Sequence, residues 1–324
     1  MELFELKHLM TPTLKPITYA YLETTNYCNL DCSFCNRKDV IGPLKHMPLD
    51  QWVELLEKIK HHPIKEAKLM GMGEPFLHPK FDEICRLWKE YFPDSFLIVA
   101  TNCQYKFTQK IERAFQHIDL VYFSIDGYKE SYERDRSPAK WSKLMTFLEG
   151  FKEVNRGRSR VTCNYVVNPD NIQDIQTIYD EIVVPYGLEE LRLNIAQCWE
   201  EGGSMDDSYS EEQLAYLRDN WQENIKGKSE WDFNKCFWPQ EGLYTTVEGR
   251  VLMCALNTEA KSFGNIFEQD LDDIRNSLDY QAVKHGCETN CPTKHCQTCS
   301  YKQLVPILNK LGVHNEVSEA SRQS

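Results

Sequence analysis

The 324-residue chain has no run approaching the ~20 consecutive apolar residues that a membrane-spanning helix needs, so a spanning role is excluded. Its opening residues, MELFELKHLM, lack the basic start, apolar middle and small-residue cleavage site of a secretory signal. Positive charge is also in short supply: 37 Lys and Arg face 49 Asp and Glu, a net charge of −12. Bulk nucleic-acid binding rests on basic surface that neutralises phosphates, so that class of partner drops out. Internal repeats and low-complexity tracts are missing, which removes solenoids and linker-like architectures. What remains is a cytoplasmic globular protein, long enough for one sizeable domain and a smaller one.

Cysteine is what the chain does have. There are thirteen, and a reducing cytosol does not let them pair as disulfides. Their distribution is uneven. Cys28, Cys32 and Cys35 share one short run, six more follow residue 235, and only Cys85, Cys103, Cys163 and Cys198 are scattered. Clumped thiols read as metal or cluster ligands. Cys85 shares a helical apolar face with Phe81, Ile84, Trp88 and Phe92, where a thiol serves as a small hydrophobe. Cys163 falls in a strand. Cys198 follows the sixth strand, near where a substrate would lie, and burial is its simpler reading.

The run ETTNYCNLDCSFCNR spaces its thiols as C-x3-C-x2-C. Alternation of Ile17, Tyr19 and Tyr21 with Thr18, Ala20 and Leu22 predicts a strand just before it. The thiols therefore hang from a strand's C-terminal end, where parallel α/β folds place their chemistry. Three thiolates are one fewer than the usual four ligands of an iron–sulfur cluster, which leaves one iron open. A structural zinc loop is the alternative for this spacing alone.

Downstream, strands and helices alternate. Strands are expected at 66–71, 95–101, 119–125, 160–167 and 189–195, with helices at 49–61, 79–92, 107–117, 141–154 and 172–184. Six βα units predict a right-wound parallel sheet, short of a closed eight-stranded barrel. The expected fold is α/β: a partial (β/α)6 TIM-like barrel with a small cysteine-rich C-terminal domain. The boundaries expected are an arm over 1–17, a core over 18–198 and an acidic linker with one helix over 199–231. The cysteine-rich domain then covers 232–311, with a β-hairpin over 243–254 turned at Glu248-Gly249 and a helix near 301–311. A loose tail covers 312–324.

The Cys28–Cys32–Cys35 loop resembles the signature of the radical S-adenosylmethionine (radical SAM) enzymes. The resemblance implies a [4Fe-4S] cluster on those three thiols. Its open iron would be chelated by SAM, and its reduction would cleave SAM to a 5′-deoxyadenosyl radical. Further motifs fall at the ends of the expected strands. Gly73-Glu74-Pro75 after the second strand is similar to the family's GGEP, implying a grip on the SAM amino group. Thr101-Asn102 resembles the T-N-G turn, with Cys103 in place of the glycine. Ser124-Ile125-Asp126-Gly127 resembles the S-x-D-G motif, implying that Ser124 contacts SAM and Asp126 supports the loop. An arginine some ten residues on would pair with the SAM carboxylate through its planar fork. Arg134 and Arg136 are both available, and Arg136 fits better. A solvated face is the other reading for either.

Cys236 and Cys254, with Gly249 between them, and then Cys287, Cys291, Cys296 and Cys299 resemble the SPASM/twitch extension, which houses auxiliary [4Fe-4S] clusters. The full SPASM pattern has one cysteine more, beyond Cys299. Cys236, Cys254, Cys296 and Cys299 best match a single auxiliary cluster. Cys287 and Cys291 are then surplus, or begin an incomplete second cluster. The competing reading is a zinc ribbon on Cys287, Cys291, Cys296 and Cys299 with His285 or His295 nearby, which leaves Cys236 and Cys254 unexplained.

The resemblance implies an enzyme that abstracts hydrogen from a substrate on the sheet's C-terminal face. The expected activity is a dehydrogenase-type oxidation of a small, sugar-like molecule, with the auxiliary cluster as electron acceptor. Arg192 or Tyr165, on late strands, would take the proton. Maturation of a peptide or protein side chain is the alternative, although an arm of about seventeen residues is short for the leader-binding domain many peptide maturases carry, since domains run to ~50 residues or more. A non-catalytic iron–sulfur or zinc scaffold is the alternative from another class. The implied partners are a small-molecule or peptide substrate and a flavodoxin- or ferredoxin-type reductant.

Overall fold

The computed structural model describes residues 14–154, 159–197, 208–227, 236–255, 262–297 and 299–313. Cys198, the first part of the acidic linker, the side chain of His295 and the tail from 314 lie outside the described residues.

Nine strands form one sheet: β1 Tyr19–Leu22, β2 Glu66–Lys68, β3 Phe96–Thr101, β4 Leu120–Ser124, β5 Arg160–Val167, β6 Leu191–Ile195, β7 Gly242–Thr245, β8 Arg250–Leu252 and β9 Gly264–Asn265. Their order is β6-β5-β4-β3-β2-β1-β7-β8-β9. The first six are parallel neighbours in chain order, as consecutive crossovers on one side require. The sheet does not close, so this is the expected partial barrel.

Alternation divides the sheet into two faces. The outer face carries Ala20, Leu22, Leu97, Val99, Val121, Phe123, Cys163 and Tyr165 into the main core. Over it pack amphipathic helices such as α1 Leu49–Ile59, α2 Phe81–Tyr91 and α3 Trp141–Val154, whose buried residues recur at helical spacing. The opposite, inner face carries Phe96, Ile98, Leu120 and Tyr122 as one small cluster. Tyr19, Tyr21, Trp238 and Tyr244 form another beside it, with Cys236 and Cys254 packed against them.

The sheet departs from expectation at its far edge. The hairpin does turn at Glu248-Gly249, and Gly249 takes a left-handed φ of 86°. Its first strand, β7, pairs in parallel with β1, from Tyr19↔Gly242 to Leu22↔Thr245. The cysteine-rich domain thus extends the barrel sheet instead of standing apart from it. The expected helix over 172–184 is a composite of a 3₁₀ turn (Ile172–Asp174), one α turn (Ile175–Ile178) and a π turn (Tyr179–Val183). Among the helices that escaped the sequence reading are α4 Leu271–Arg275 and α5 Leu278–Glu288, and the second carries Cys287. Ile17 of the expected arm and Val313 of the expected tail are both buried.

Candidate radical SAM site and auxiliary thiols

The C-terminal ends of β1 to β4 enclose an open cavity of about 180 Å³. Cys28, Cys32, Cys35, Gly71, Met72, Gly73, Glu74, Thr101, Asn102, Ser124 and Arg136 line it. Of the residues expected to bind cofactor, Gly73, Glu74, Asn102, Ser124 and Arg136 thus converge on one space with the three loop thiols.

The loop is held by backbone bonds to the segment before β5: the Asp31 and Ser33 N–H groups donate to the carbonyls of Ser137 and Asp135 at 2.6 and 2.9 Å. Arg37 forks onto the carbonyl of Asn26 at 3.2 and 2.9 Å. Asn102 ties the loop to β3, donating to Asn29 Oδ1 at 2.8 Å and lying 3.8 Å from Cys28 Sγ. Cys35 is exposed, whereas Cys28 and Cys32 are half-buried. Burial raises both of these thiols, Cys32 to about 12.

The Gly71–Pro75 turn packs against the start of the Cys loop with no room for a side chain at either glycine. A Cβ on Gly71 would fall 2.2 Å from Glu23 Cγ, and one on Gly73 2.2 Å from the Thr25 carbonyl. Glu74 is buried and its carboxylate is already engaged. Oε1 accepts from the Phe76 N–H at 3.2 Å and the Tyr105 hydroxyl at 2.9 Å, and Oε2 from the Asn102 N–H at 2.7 Å. Desolvation nonetheless raises its pKa. The carboxylate expected to reach an ammonium is thus already engaged by three of the protein's own donors, while Gly71, Met72, Gly73 and Glu74 all line the cavity.

Asp126 is fully buried and does not line the cavity. Its Oδ1 accepts from the Val166 N–H at 2.7 Å, and its Oδ2 lies 2.5 Å from Arg136 Nη2. The other edge of Arg136 points to Cys32, with Nη1 3.9 Å from Sγ. Arg134 is an exposed partner of Asp135. Cys103, replacing the usual glycine, adopts a left-handed φ of 59° and is fully buried.

The two expected proton acceptors part company. Arg192 sits on the inner face with its guanidinium 5.5 Å above the Tyr122 ring. Tyr165 points to the outer core, where its hydroxyl donates to the Asn171 carbonyl at 2.6 Å. The period-2 alternation of β5 puts it on the wrong side for the cavity.

In the C-terminal domain the structure brings Cys287 in among the preferred thiols. Hydrogen bonding between Cys287 and Cys296 draws Cys287 down and pushes Cys296 up. Cys296 also feels Cys254 and Cys236. Cys287 therefore lies among these thiols and is not set apart from them; Cys299 lies near it, and Cys291 is exposed. No three Cys, His, Asp or Glu side chains among the described residues converge on one metal-ion position. In a cubane site each thiolate binds its own iron, so such convergence is not required. Sequence reasoning missed Glu23, Arg37 and Tyr105; only Glu23 left a trace, as an acid closing an apolar strand.

These features fit an iron–sulfur cluster with SAM beside it: three free thiols on one loop, a glycine turn packed close against the start of that loop, and the buried, unpartnered Nε of Arg136. The comparisons agree. The Radical SAM superfamily model matches residues 22–182, and the SPASM model, an iron-sulfur cluster-binding domain, matches residues 236–300. The chain belongs to the radical SAM superfamily and carries a C-terminal SPASM domain, with SAM and core and auxiliary [4Fe-4S] clusters as cofactors. That replaces the zinc-ribbon alternative.

Among its relatives, a probable GTP 3′,8-cyclase of Pyrococcus horikoshii is 26% identical over 55% of this chain and 57% of its own length. The sporulation killing factor maturation protein SkfB of Bacillus subtilis is 22% identical over 85% of this chain and 67% of its own. The chain thus spans little more than half of the cyclase. Streptococcus suis SuiB, solved with its precursor peptide SuiA, has the same fold at a TM-score of 0.67 and 17% identity, over 94% of this chain and 72% of that one. No helix among the described residues is long and apolar enough to cross a membrane.

Proposed function

We propose that this protein is a peptide-modifying radical SAM enzyme. The observation that carries the reading is the reach of the SkfB similarity, which runs through both the barrel and the cysteine-rich domain. The cyclase similarity spans only 55% of the chain. Bound to Cys28, Cys32 and Cys35, the core cluster would supply the one-electron reduction of SAM from which hydrogen abstraction at the substrate follows.

The chain's own residues would do the rest. Cys28, Cys32 and Cys35 hold the core cluster. The backbone of Gly71–Gly73 faces the SAM amino group, with Glu74 bracing the turn. Ser124 contacts SAM from β4. Arg136, neutralised on one edge by Asp126, offers the other to the carboxylate and to Cys32. Arg192 lies on the sheet's inner face over the Tyr122 ring, and would bind or orient substrate there.

Oxidation of a small sugar-like molecule is the second reading, and it would make the protein an oxidoreductase. One observation favours it: Cys287, Cys254 and Cys236 all lie near enough to Cys296 to shift it, thiols enough for one electron-accepting cluster. A flavodoxin- or ferredoxin-type protein would serve as reductant in either case.

The test is anaerobic reconstitution with iron, sulfide, SAM and dithionite, offering short precursor peptides and aminocyclitols in separate assays. The expected result is 5′-deoxyadenosine together with a covalently altered peptide. Loss of two hydrogen atoms from an aminocyclitol, with the peptides untouched, would select the second reading. Absence of 5′-deoxyadenosine in every assay would sink both.

A further inference from the structure

We infer that Glu23 is a positioning residue that sets the SAM-facing turn and the auxiliary domain in register with the core Cys loop. It lies five residues before Cys28, just past the end of β1, and is almost fully buried. Its Oε1 accepts from the Met72 N–H at 2.6 Å, on the Gly71–Pro75 turn that lines the cavity. Its Oε2 accepts from the Val247 N–H at 3.2 Å, in the β7–β8 turn seven residues before Cys254. Its own N–H donates to the Thr245 carbonyl at 3.0 Å. One carboxylate therefore joins three segments, each carrying or leading to ligands. The space is cut for it, since Gly71 has no room for a Cβ against the Glu23 side chain.

A neutral side chain cannot reproduce this arrangement. In Glu23→Gln the amide nitrogen would face one of two backbone donors, so one charge-assisted bond is lost and one N–H is left buried without an acceptor. Burial raises the pKa of Glu23 to about 7, against the lowering effect of the two N–H donors. The titratable and charged groups that face it are Tyr21 and, from the hairpin, Tyr244, Glu248 and Arg250.

The sign differs between global stability and the local bonds. The folded state holds the proton more tightly than the unfolded chain, so the contribution of Glu23 to stability declines as pH rises from the unfolded value toward about 7. The two amide bonds, in contrast, strengthen as the carboxylate ionises. SAM binding is expected to follow the bonds and tighten with rising pH through that range.

The inference rests on the SAM reading of the cavity and not on the substrate, so it survives if the substrate proves not to be a peptide. The test compares anaerobically reconstituted wild type with Glu23→Gln, measuring SAM affinity by equilibrium dialysis from pH 6 to 8, a range bracketing that titration, alongside iron content. The expected result is full iron content, SAM affinity weakened by roughly tenfold, the size of one charge-assisted bond, and a flattened pH profile. Unchanged affinity with an unchanged profile would overturn it. Should the variant not fold, amide exchange in the wild type decides. Protection of the Met72 and Val247 amides should rise together across the titration of Glu23, and independent behaviour of the two amides would refute the link. Failure of the wild type to bind SAM would count against the SAM reading of the cavity, while the amide protection would still judge Glu23.

Discussion

At the residue scale, the site depends on polar groups whose partners are inside the protein. Glu74 satisfies three donors at once, so Glu74→Ala would strand the Phe76 and Asn102 amides and the Tyr105 hydroxyl in a buried space. Buried unsatisfied donors cost about 1–3 kcal/mol each, and partial relaxation brings the expected loss to about 3 kcal/mol overall, read as a shift in the urea midpoint. SAM affinity should collapse with it, because the Gly71–Pro75 turn and the Asn102 bridge to the Cys loop share that carboxylate. A midpoint within error of wild type would show that water replaces the carboxylate. Cys103 tests a different point, the price of a side chain in a left-handed conformation. At φ 59°, Cys103→Gly removes about 1 kcal/mol of strain while giving up a buried thiol, so stability should change by less than about 1 kcal/mol. Cys103→Val places a β-branched residue at that φ and should cost about 2 kcal/mol or more in the same urea assay.

At the scale of elements, the union of β1 and β7 makes the cysteine-rich domain part of the barrel sheet. Gly242 permits it: a Cβ there would lie 2.6 Å from the Trp238 ring and 3.0 Å from its backbone. Gly242→Ala should cost about 1–3 kcal/mol as overpacking, confined to the cluster of Trp238, Tyr244, Cys236 and Cys254. Iron analysis after reconstitution should show auxiliary iron falling while core iron stays. Equal loss from both sites would mean that the sheet transmits the strain.

The same elements explain what could be read in advance. The six core strands and their helices were legible because buried faces impose a period of two or of about 3.6. α5 was not, since its buried side includes Gln281 and Lys284, which blur the apolar stripe. The β1–β7 pairing was hidden as well, because pairing across more than two hundred residues leaves no local mark. At the site, the thiols and turn motifs were visible in their spacing, whereas Glu23 and Tyr105 matter only through where the fold puts them. Tyr165 was misread for the converse reason. Its strand was correctly expected, but the face it takes followed from register, which a single strand does not reveal.

For the whole molecule, the question is how many clusters one chain holds and on which thiols. Spacing favoured Cys236, Cys254, Cys296 and Cys299 for one auxiliary site, with Cys287 and Cys291 left over. The fold ranks them differently, because α5 carries Cys287 against Cys296, while Cys291 lies exposed beyond the helix end. Cys287→Ala should therefore release the auxiliary cluster, leaving about four irons per chain where wild type binds about eight, at four irons per cubane. Cys291→Ala should keep all of them. The decisive alternative is a wild type with about twelve irons from which Cys291→Ala removes about four, which would place a second auxiliary cluster at the exposed end of α5. Since Cys287 and Cys291 lie on and just past α5, away from the residues that line the SAM cavity, neither variant should disturb SAM binding, and a loss of SAM affinity in either would mean that the auxiliary thiols and the SAM cavity are coupled.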